Sequence, residues 1–516
     1  MTVRGASDIG AGLAPARPAR PIVPGERIHI LGAQGAGASA AALLAAWAGA
    51  DVDGCDPGGP GPYAPALDMV GVRVAPAHDP AHVVGPRPPS RLAVTKALTA
   101  IDPDNAELRA AREAAIPLEP WQQVVADAAH GRLLMAVAGT HGKSTTAGWL
   151  VHTLVGVGAD PGAFVGALLP AAITGIGLPA TARRGAGEAF VVEADEYAGN
   201  FDPYRPDVIV LTSVEWDHPD VFADTQAVLA ALEAWIRRAA AGRTPADRTP
   251  VLVANVGDPG VAALAERLGD WPGRVLRTAL DPAPGPAGAA ASGTAQVAGR
   301  IVAADPEGTL LRVELVGAGT LDAHEVRLPT AGRHNAANAL GVIGACLAAG
   351  HGIGAVLRAV GTFPGVGRRL ERKGEAAGVV VYDDYGHHPT AIRETLAAVR
   401  QREPGRRVWA VYEPLTYHRT AALLDQFAEV LATADAVAVA DIWAGRDRDT
   451  TVASAAGLAR AVGQRNPGIP AHAPGSVEDT AAWLAAHVRA GDAVLVMGGG
   501  RSYRIAELLL EHLSRR

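Results

Sequence analysis

Cysteine is nearly missing from this chain of 516 residues: Cys55 and Cys346 are the only two. That excludes a disulfide framework and a four-cysteine zinc site. Lysine is scarce as well, since Lys96, Lys143 and Lys373 are the only lysines among 46 basic residues. Arginine carries nearly all the positive charge, so each retained lysine is worth examining. No apolar run approaches the ~18 residues of a membrane span. Residues 1–26, rich in Ala, Pro and Arg, lack the apolar centre of a signal peptide and read as a disordered lead-in. A formal net charge of -7 gives no basic face for a nucleic-acid backbone. Together these absences predict a soluble cytoplasmic protein with neither nucleic acid nor membrane as a partner.

What is present is glycine (61) and proline (38), without a collagen-like period. At roughly 100–200 residues per domain, the length predicts three domains. Each is expected to be α/β with a mostly parallel, doubly wound sheet, because short apolar strands alternate with helical stretches. Residues 27–131 begin with the strand Arg27 to Leu31, a glycine turn, the alanine-rich helix Ala38 to Ala48, and a strand from Val52. Residues 132–366 restart with the strand Leu133 to Ala138, a second glycine turn and a helix from Ser144. Further strands follow at Phe190–Val192, Val208–Leu211 and Val251–Ala254. The Pro/Gly/Ala-rich stretch 281–299 reads as a surface excursion. Residues 367–516 carry strands at Val379–Tyr382, Val408–Val411, Ala436–Ala440 and Ala493–Met497.

The first turn holds Gly32, Gly35 and Gly37 between strand and helix, where bare N–H groups can meet a phosphate. Asp56 lies about 20 residues on, where an acid can bind a ribose hydroxyl. The second turn, Gly139-Thr140-His141-Gly142-Lys143-Ser144-Thr145, has the working end of a P-loop. Gly142 admits phosphates to the backbone, Lys143 reaches the terminal phosphates, and Ser144 or Thr145 can ligate Mg²⁺. Two acidic groups close later strands: Glu193-Ala-Asp195-Glu196 and Glu215-Trp-Asp217-His218. In an open parallel sheet they fall on the same edge as the P-loop, placed to hold metal and phosphate. The third region adds Gly332–Asn335, Arg368-Arg369 and Asp383-Asp384-Tyr385-Gly386-His387-His388-Pro389, too dense in ionisable groups for a plain turn.

In this order, from about Arg27 onward, these motifs resemble those of the Mur ligases. The resemblance implies a UDP-substrate domain, a central ATPase and a Rossmann-like C-terminal domain. It also implies an ATP- and Mg²⁺-dependent amide-bond ligase, monomeric or homodimeric, acting in peptidoglycan precursor synthesis. The match is strongest to members that join L-alanine to the carboxylate of UDP-N-acetylmuramate through an acyl phosphate. By position, Lys143, Glu193 and His218 would be catalytic. Gly139 to Thr145, Asn335, Arg369 and Asp384 would bind ATP. Ser144, Thr145, Glu193 and His218 would hold metal. Gly32, Gly35, Gly37 and Asp56 would bind the UDP-substrate, and Tyr385, His387 and Arg419 the amino acid.

Two positions depart from that pattern. Leu415-Thr416 replaces a His-Arg pair, removing one carboxylate-binding arginine, and Arg501 stands where a small polar residue is usual. The resemblance therefore also admits a sister ligase adding another amino acid or the tripeptide L-Ala-γ-D-Glu-meso-diaminopimelate. A nucleotide-binding relative without ligase activity is the remaining alternative.

Overall fold

In the first region, the buried run Arg27–Leu31 (β1) ends at a left-handed Gly32, so the chain turns straight into the helix Ala36–Trp47. The computed structural model describes residues 5–244, 246–281, 296–316, 321–445, 447 and 449–516. The strands after β1 are Asp51–Cys55 (β2), Arg73–Ala75 (β3), Arg91–Val94 (β4) and Leu118–Pro120 (β5). They form a parallel sheet in the order β3-β2-β1-β4-β5, whose connections reverse direction beside β1.

A second sheet is built on Leu133–Ala138 (β6), buried along nearly its whole length as a central parallel strand must be. It continues with Gly162–Leu169 (β7), Ala180–Arg183 (β8), Ala189–Glu193 (β9), Val208–Leu211 (β10), Val251–Asn255 (β11) and Arg274–Leu280 (β12). Gln296–Asp305 (β13), Gly308–Val316 (β14) and Leu321–Leu328 (β15) complete it. The order is β15-β14-β13-β12-β11-β10-β6-β9-β7-β8. The chain leaves β6 toward β7 on one side and later returns to β10 on the other, which makes β6 the switch point. β7 and β8 pair antiparallel at one edge, an exception to the parallel expectation.

The third sheet uses Glu371–Ala376 (β16), Val379–Asp384 (β17), Arg407–Glu413 (β18), Ala436–Ala440 (β19), Ala471–Gly475 (β20) and Asp492–Gly498 (β21). Its order is β16-β17-β21-β18-β19-β20, parallel apart from the β16–β17 hairpin. The expected class, three mostly parallel α/β sheets, is the observed one. By compactness the chain forms two units, one holding the first sheet and most of the second, the other holding the third. Within the first unit, the helix Ala36–Trp47 packs on β7 and β8, with Ser39 Oγ 3.1 Å from Thr181 Oγ1 and Trp121 edge-on to Phe164. No helix among the described residues is long and apolar enough to cross a membrane.

The lead-in expectation needs correction for its described part. Ile9 is fully buried against Ala100, Tyr197 and Ala198. The Arg17 guanidinium reaches both Glu119 and Asp127 at 2.7 Å. Buried apolar area and paired charge therefore tie the segment down. Of the expected excursion, residues 282–295 lie outside the described residues, while its last four begin β13.

Candidate active site

The second glycine turn closes around the carboxyl end of β6. Gly139 has φ +124°, and a Cβ there would lie 2.4 Å from Thr212 Oγ1 and 2.7 Å from the Ser213 carbonyl oxygen. Gly142, at φ +78°, sits against Asn338, whose Oδ1 would be 2.7 Å from an added Cβ. Both glycines are thus required by backbone geometry and by space. Gly139→Ala is expected to cost about 1–3 kcal/mol of stability in backbone strain alone and to abolish nucleotide binding. Urea unfolding and ATP titration calorimetry check the two effects. Thr140 Oγ1 accepts from Glu215 N at 2.9 Å, the His141 ring lies 2.7 Å from Glu215 Oε2, and His141 N donates to Ser213 Oγ at 2.9 Å.

Lys143 opens the helix Lys143–Gly156. Its Nζ donates to the Gly139 carbonyl at 2.7 Å and to Glu196 Oε2 at 2.9 Å, with Asp195 Oδ1 at 3.7 Å. Burial disfavours the ammonium, but Glu196 and Asp195 outweigh it and hold the group above the usual lysine range. Asp195 is only half-buried, and although desolvation would raise its carboxyl, Lys143 and His218 keep it below the usual range.

The expected metal residues fall into two groups. Ser144 Oγ donates to Glu193 Oε1 at 2.9 Å, and Glu193 Oε2 accepts from Gly166 N at 2.6 Å. Thr145 stands one residue on in the same turn, about 100° around the helix, so the hydroxyl aimed at Glu193 is that of Ser144. His218, at φ +56°, joins Asp195 and Glu196 instead, with one ligand atom from each lying within 4.8 Å of the others. The residue-by-residue metal expectation takes only Glu193 from its acidic group; the structure adds Asp195 and Glu196, and places Asn338 against the glycine turn. The two acids lie in the same strand-end motif as Glu193, and their proximity to a P-loop lysine was the available signal. Lys96, another rare lysine, donates to the Ala198 carbonyl at 2.6 Å, and its burial lowers it to about 8.

At the first turn, Gly32 is left-handed, Gly35 N donates to the Gly32 carbonyl, and a Cβ on Gly37 would lie 2.2 Å from the Trp121 ring. Gly37 therefore serves helix packing as well as access. Asp56 Oδ2 accepts from Gln34 N at 2.9 Å and so braces the turn.

The second unit gathers the remaining expected residues. Asn335 is buried and donates to the Ala331 carbonyl at 2.8 Å. Asp384 accepts from Leu370 N and Gly386 N, each at 2.7 Å, and so fixes the loop that carries Arg369. The guanidinium groups of Arg368 and Arg369 lie 5.0 and 4.9 Å from the Tyr385 ring centre, and His387 is edge-on to that ring. Burial pushes the Asp383 carboxyl up to about 6, with Arg368 opposing the shift. Arg419 is buried in the helix Tyr417–Ala422, just beyond β18. Arg501 is exposed and ion-paired to Glu478 at 3.1 Å.

A lysine-bearing glycine turn at the switch point of a parallel sheet, with carboxylates at the neighbouring strand ends, defines a P-loop nucleotide-binding protein. Residues 27–132 match the Mur ligase family catalytic domain, 137–346 the Mur ligase middle domain, and 368–500 the glutamate ligase domain of Mur ligases. The UDP-N-acetylmuramate--L-alanine ligase of Mycobacterium sp. (strain JLS) is 37% identical over 93% of this chain and 94% of its own length. That of Kineococcus radiotolerans is 37% identical over 95% and 97%. Among solved structures, UDP-N-acetylmuramate-alanine ligase MurC from Thermotoga maritima superposes with TM-score 0.71 at 21% identity, over 94% of this chain and 98% of that one. A murein peptide ligase from Psychrobacter arcticus does so with TM-score 0.69 at 25% identity, over 95% and 99%. The chain belongs to the Mur ligase family, and it is a ligase.

Proposed function

We propose that this ligase joins L-alanine to the carboxylate of UDP-N-acetylmuramate at the expense of ATP, in the cytoplasm, during peptidoglycan precursor synthesis. The observation that carries the reading is 37% identity, sustained over 93% of the chain, to relatives named for that reaction. The domain divisions proposed with it are 27–131, 132–366 and 367–516.

The substrate carboxylate attacks the γ-phosphorus of ATP, and ADP leaves. The L-alanine amine then attacks the acyl carbon, phosphate leaves, and the amine loses a proton. The first step brings like charges together. Lys143, fixed at the helix start, supplies the countercharge, while the backbone at Gly139 to Gly142 cradles the phosphates. Ser144 and Glu193 offer the hard oxygen donors that Mg²⁺ takes, and Asp195, Glu196 and His218 are grouped closely enough for a second ion. When bound, Mg²⁺ neutralises charge on the transferring phosphoryl group. Gly32, Gly35, Gly37 and Asp56 are assigned to the UDP-substrate. Asn335, Arg369 and Asp384 go to ATP, and Tyr385, His387 and Arg419 to L-alanine.

With Leu415-Thr416 in place of His-Arg, Arg419 is the arginine left to hold the amino-acid carboxylate. Arg419→Ala is expected to raise KM for L-alanine roughly 10–150-fold with little change in kcat, the equivalent of one charged hydrogen-bond pair. Steady-state kinetics with L-alanine varied reads that split. The test of the function itself is phosphate release with ATP, Mg²⁺ and UDP-N-acetylmuramate, supplying L-Ala, Gly, L-Ser and the tripeptide separately and weighing the products. Turnover confined to an amine other than L-alanine would overturn the assignment.

A further inference from the structure

Away from the ATP turn, beneath the first sheet's glycine turn, five metal-ligating side chains from separate elements converge. His29 lies on β1, Cys55 ends β2, His78 precedes the short helical turn Pro80–His82 that His82 closes, and Glu107 is in the first turn of the helix Ala106–Glu113. One ligand atom from each of His29, Cys55, His82 and Glu107 lies within 4.8 Å of the other three. His29 Nε2 is 3.4 Å from Cys55 Sγ and 2.7 Å from Glu107 Oε1. Cys55 Sγ is 3.2 Å from Glu107 Oε2, and His82 Nδ1 is 3.2 Å from Glu107 Oε1. A tetrahedral zinc with ordinary bond lengths sets its donors about 3.3–3.7 Å apart, so only small adjustments are needed.

The surroundings support the cluster as a built site. His29 and Glu107 are buried, with 1% and 0% of their surface exposed. The far nitrogen of His29, Nδ1, lies 2.7 Å from Asp53 Oδ1. Metal-bound histidines are oriented by such a carboxylate on the nitrogen away from the ion. Glu107 Oε2 also accepts from Asp79 N at 3.2 Å, and His78 Nδ1 stands 3.0 Å from the Cys55 sulfur as a further donor. The histidine pair at 78 and 82 is partly exposed, which leaves a path for an ion to enter.

We propose that His29, Cys55, His82 and Glu107 form a zinc site in the first domain, distinct from the magnesium positions of the ligase reaction. Thiolate and imidazole donors select zinc over magnesium. Four protein donors with a fifth in reserve leave no coordination position for substrate, so the role is structural. The Cys55 carbonyl accepts from Gly32 N at 2.9 Å and Ala33 N at 3.3 Å, so the ion would pin the strand end from which the glycine turn hangs.

Untagged full-length protein, dialysed and analysed for metal, is expected to retain one zinc per chain. Replacement by Co²⁺ should give tetrahedral visible bands and a thiolate-to-cobalt charge-transfer band in the near ultraviolet. Cys55→Ser should lose the charge-transfer band, while Cys346→Ser, altering the other cysteine, should keep it. Wild-type protein that holds no zinc and shows no such band on titration with Co²⁺ overturns the proposal without reliance on any variant. Loss of the band on changing Cys346 instead of Cys55 would overturn it equally.

Discussion

Lys143→Ala is expected to lower phosphate release roughly 10²–10³-fold, the loss typical of one preorganised group that stabilises transition-state charge. The ammonium is held by the Gly139 carbonyl, Glu196 and Asp195 in a side-chain environment only 13% exposed. Water therefore cannot easily substitute for it. Under the proposed function the same ammonium would serve the phosphates of a bound nucleotide, which would leave its acidic neighbours available to cations. Lys143→Arg is expected to rescue little, because a planar fork does not replace a compact point charge in that space. Single-turnover phosphate release at saturating ATP reads the chemical step. Circular dichroism of the variant separates it from unfolding, since Glu196, 2% exposed, loses its cation. A folded Lys143→Ala protein with full turnover would remove the catalytic role.

Where local sequence decides structure, the elements were legible. The strands at Arg27–Leu31, Leu133–Ala138, Val208–Leu211 and Ala436–Ala440 have the bounds read from their apolar runs. The glycine turn leading into the helix at Lys143 was legible for the same reason, since its residues are contiguous. The lead-in departs from its expectation because Ile9 and Arg17 are held by partners roughly 90 to 190 residues away in sequence, which leave no periodic trace nearby. β16, Glu-Arg-Lys-Gly-Glu-Ala, is an edge strand with charges on it and so carries little hydrophobic alternation. The grouping of Ser144 with Glu193, and of His218 with Asp195 and Glu196, depends on side-chain directions at three strand ends. Strand order alone places these residues on one edge but does not sort them.

Arg91→Ala is expected to destabilise the first domain by about 3–5 kcal/mol, the cost of removing one partner from a buried ionic cluster. Arg91 begins β4 and is 2% exposed. Its guanidinium lies 2.8 Å from Glu119, 2.5 Å from Asp127 and 3.1 Å from Glu26. Arg17 and Arg20 remain in the variant, but neither occupies the buried centre among the three acids. Arg91→Met would restore apolar volume and still leave the carboxylates short of charge, so it should rescue little. The pH dependence has a definite sign. Burial alone would raise Glu26 and Asp127, yet their arginine pairs outweigh it and hold both below the usual carboxylate range. A depressed folded pKa contributes stability above the unfolded value of about 4, and that contribution is lost as pH falls through the lower folded value. The gap between wild type and Arg91→Ala should therefore be widest near neutrality and shrink below about pH 4. Urea unfolding at the two pH values, with hydrogen exchange across Arg91–Val94 and Trp121–Ala128, checks both the size and the direction. A gap that widened on acidification would mean that the cluster's charges are not what Arg91 stabilises.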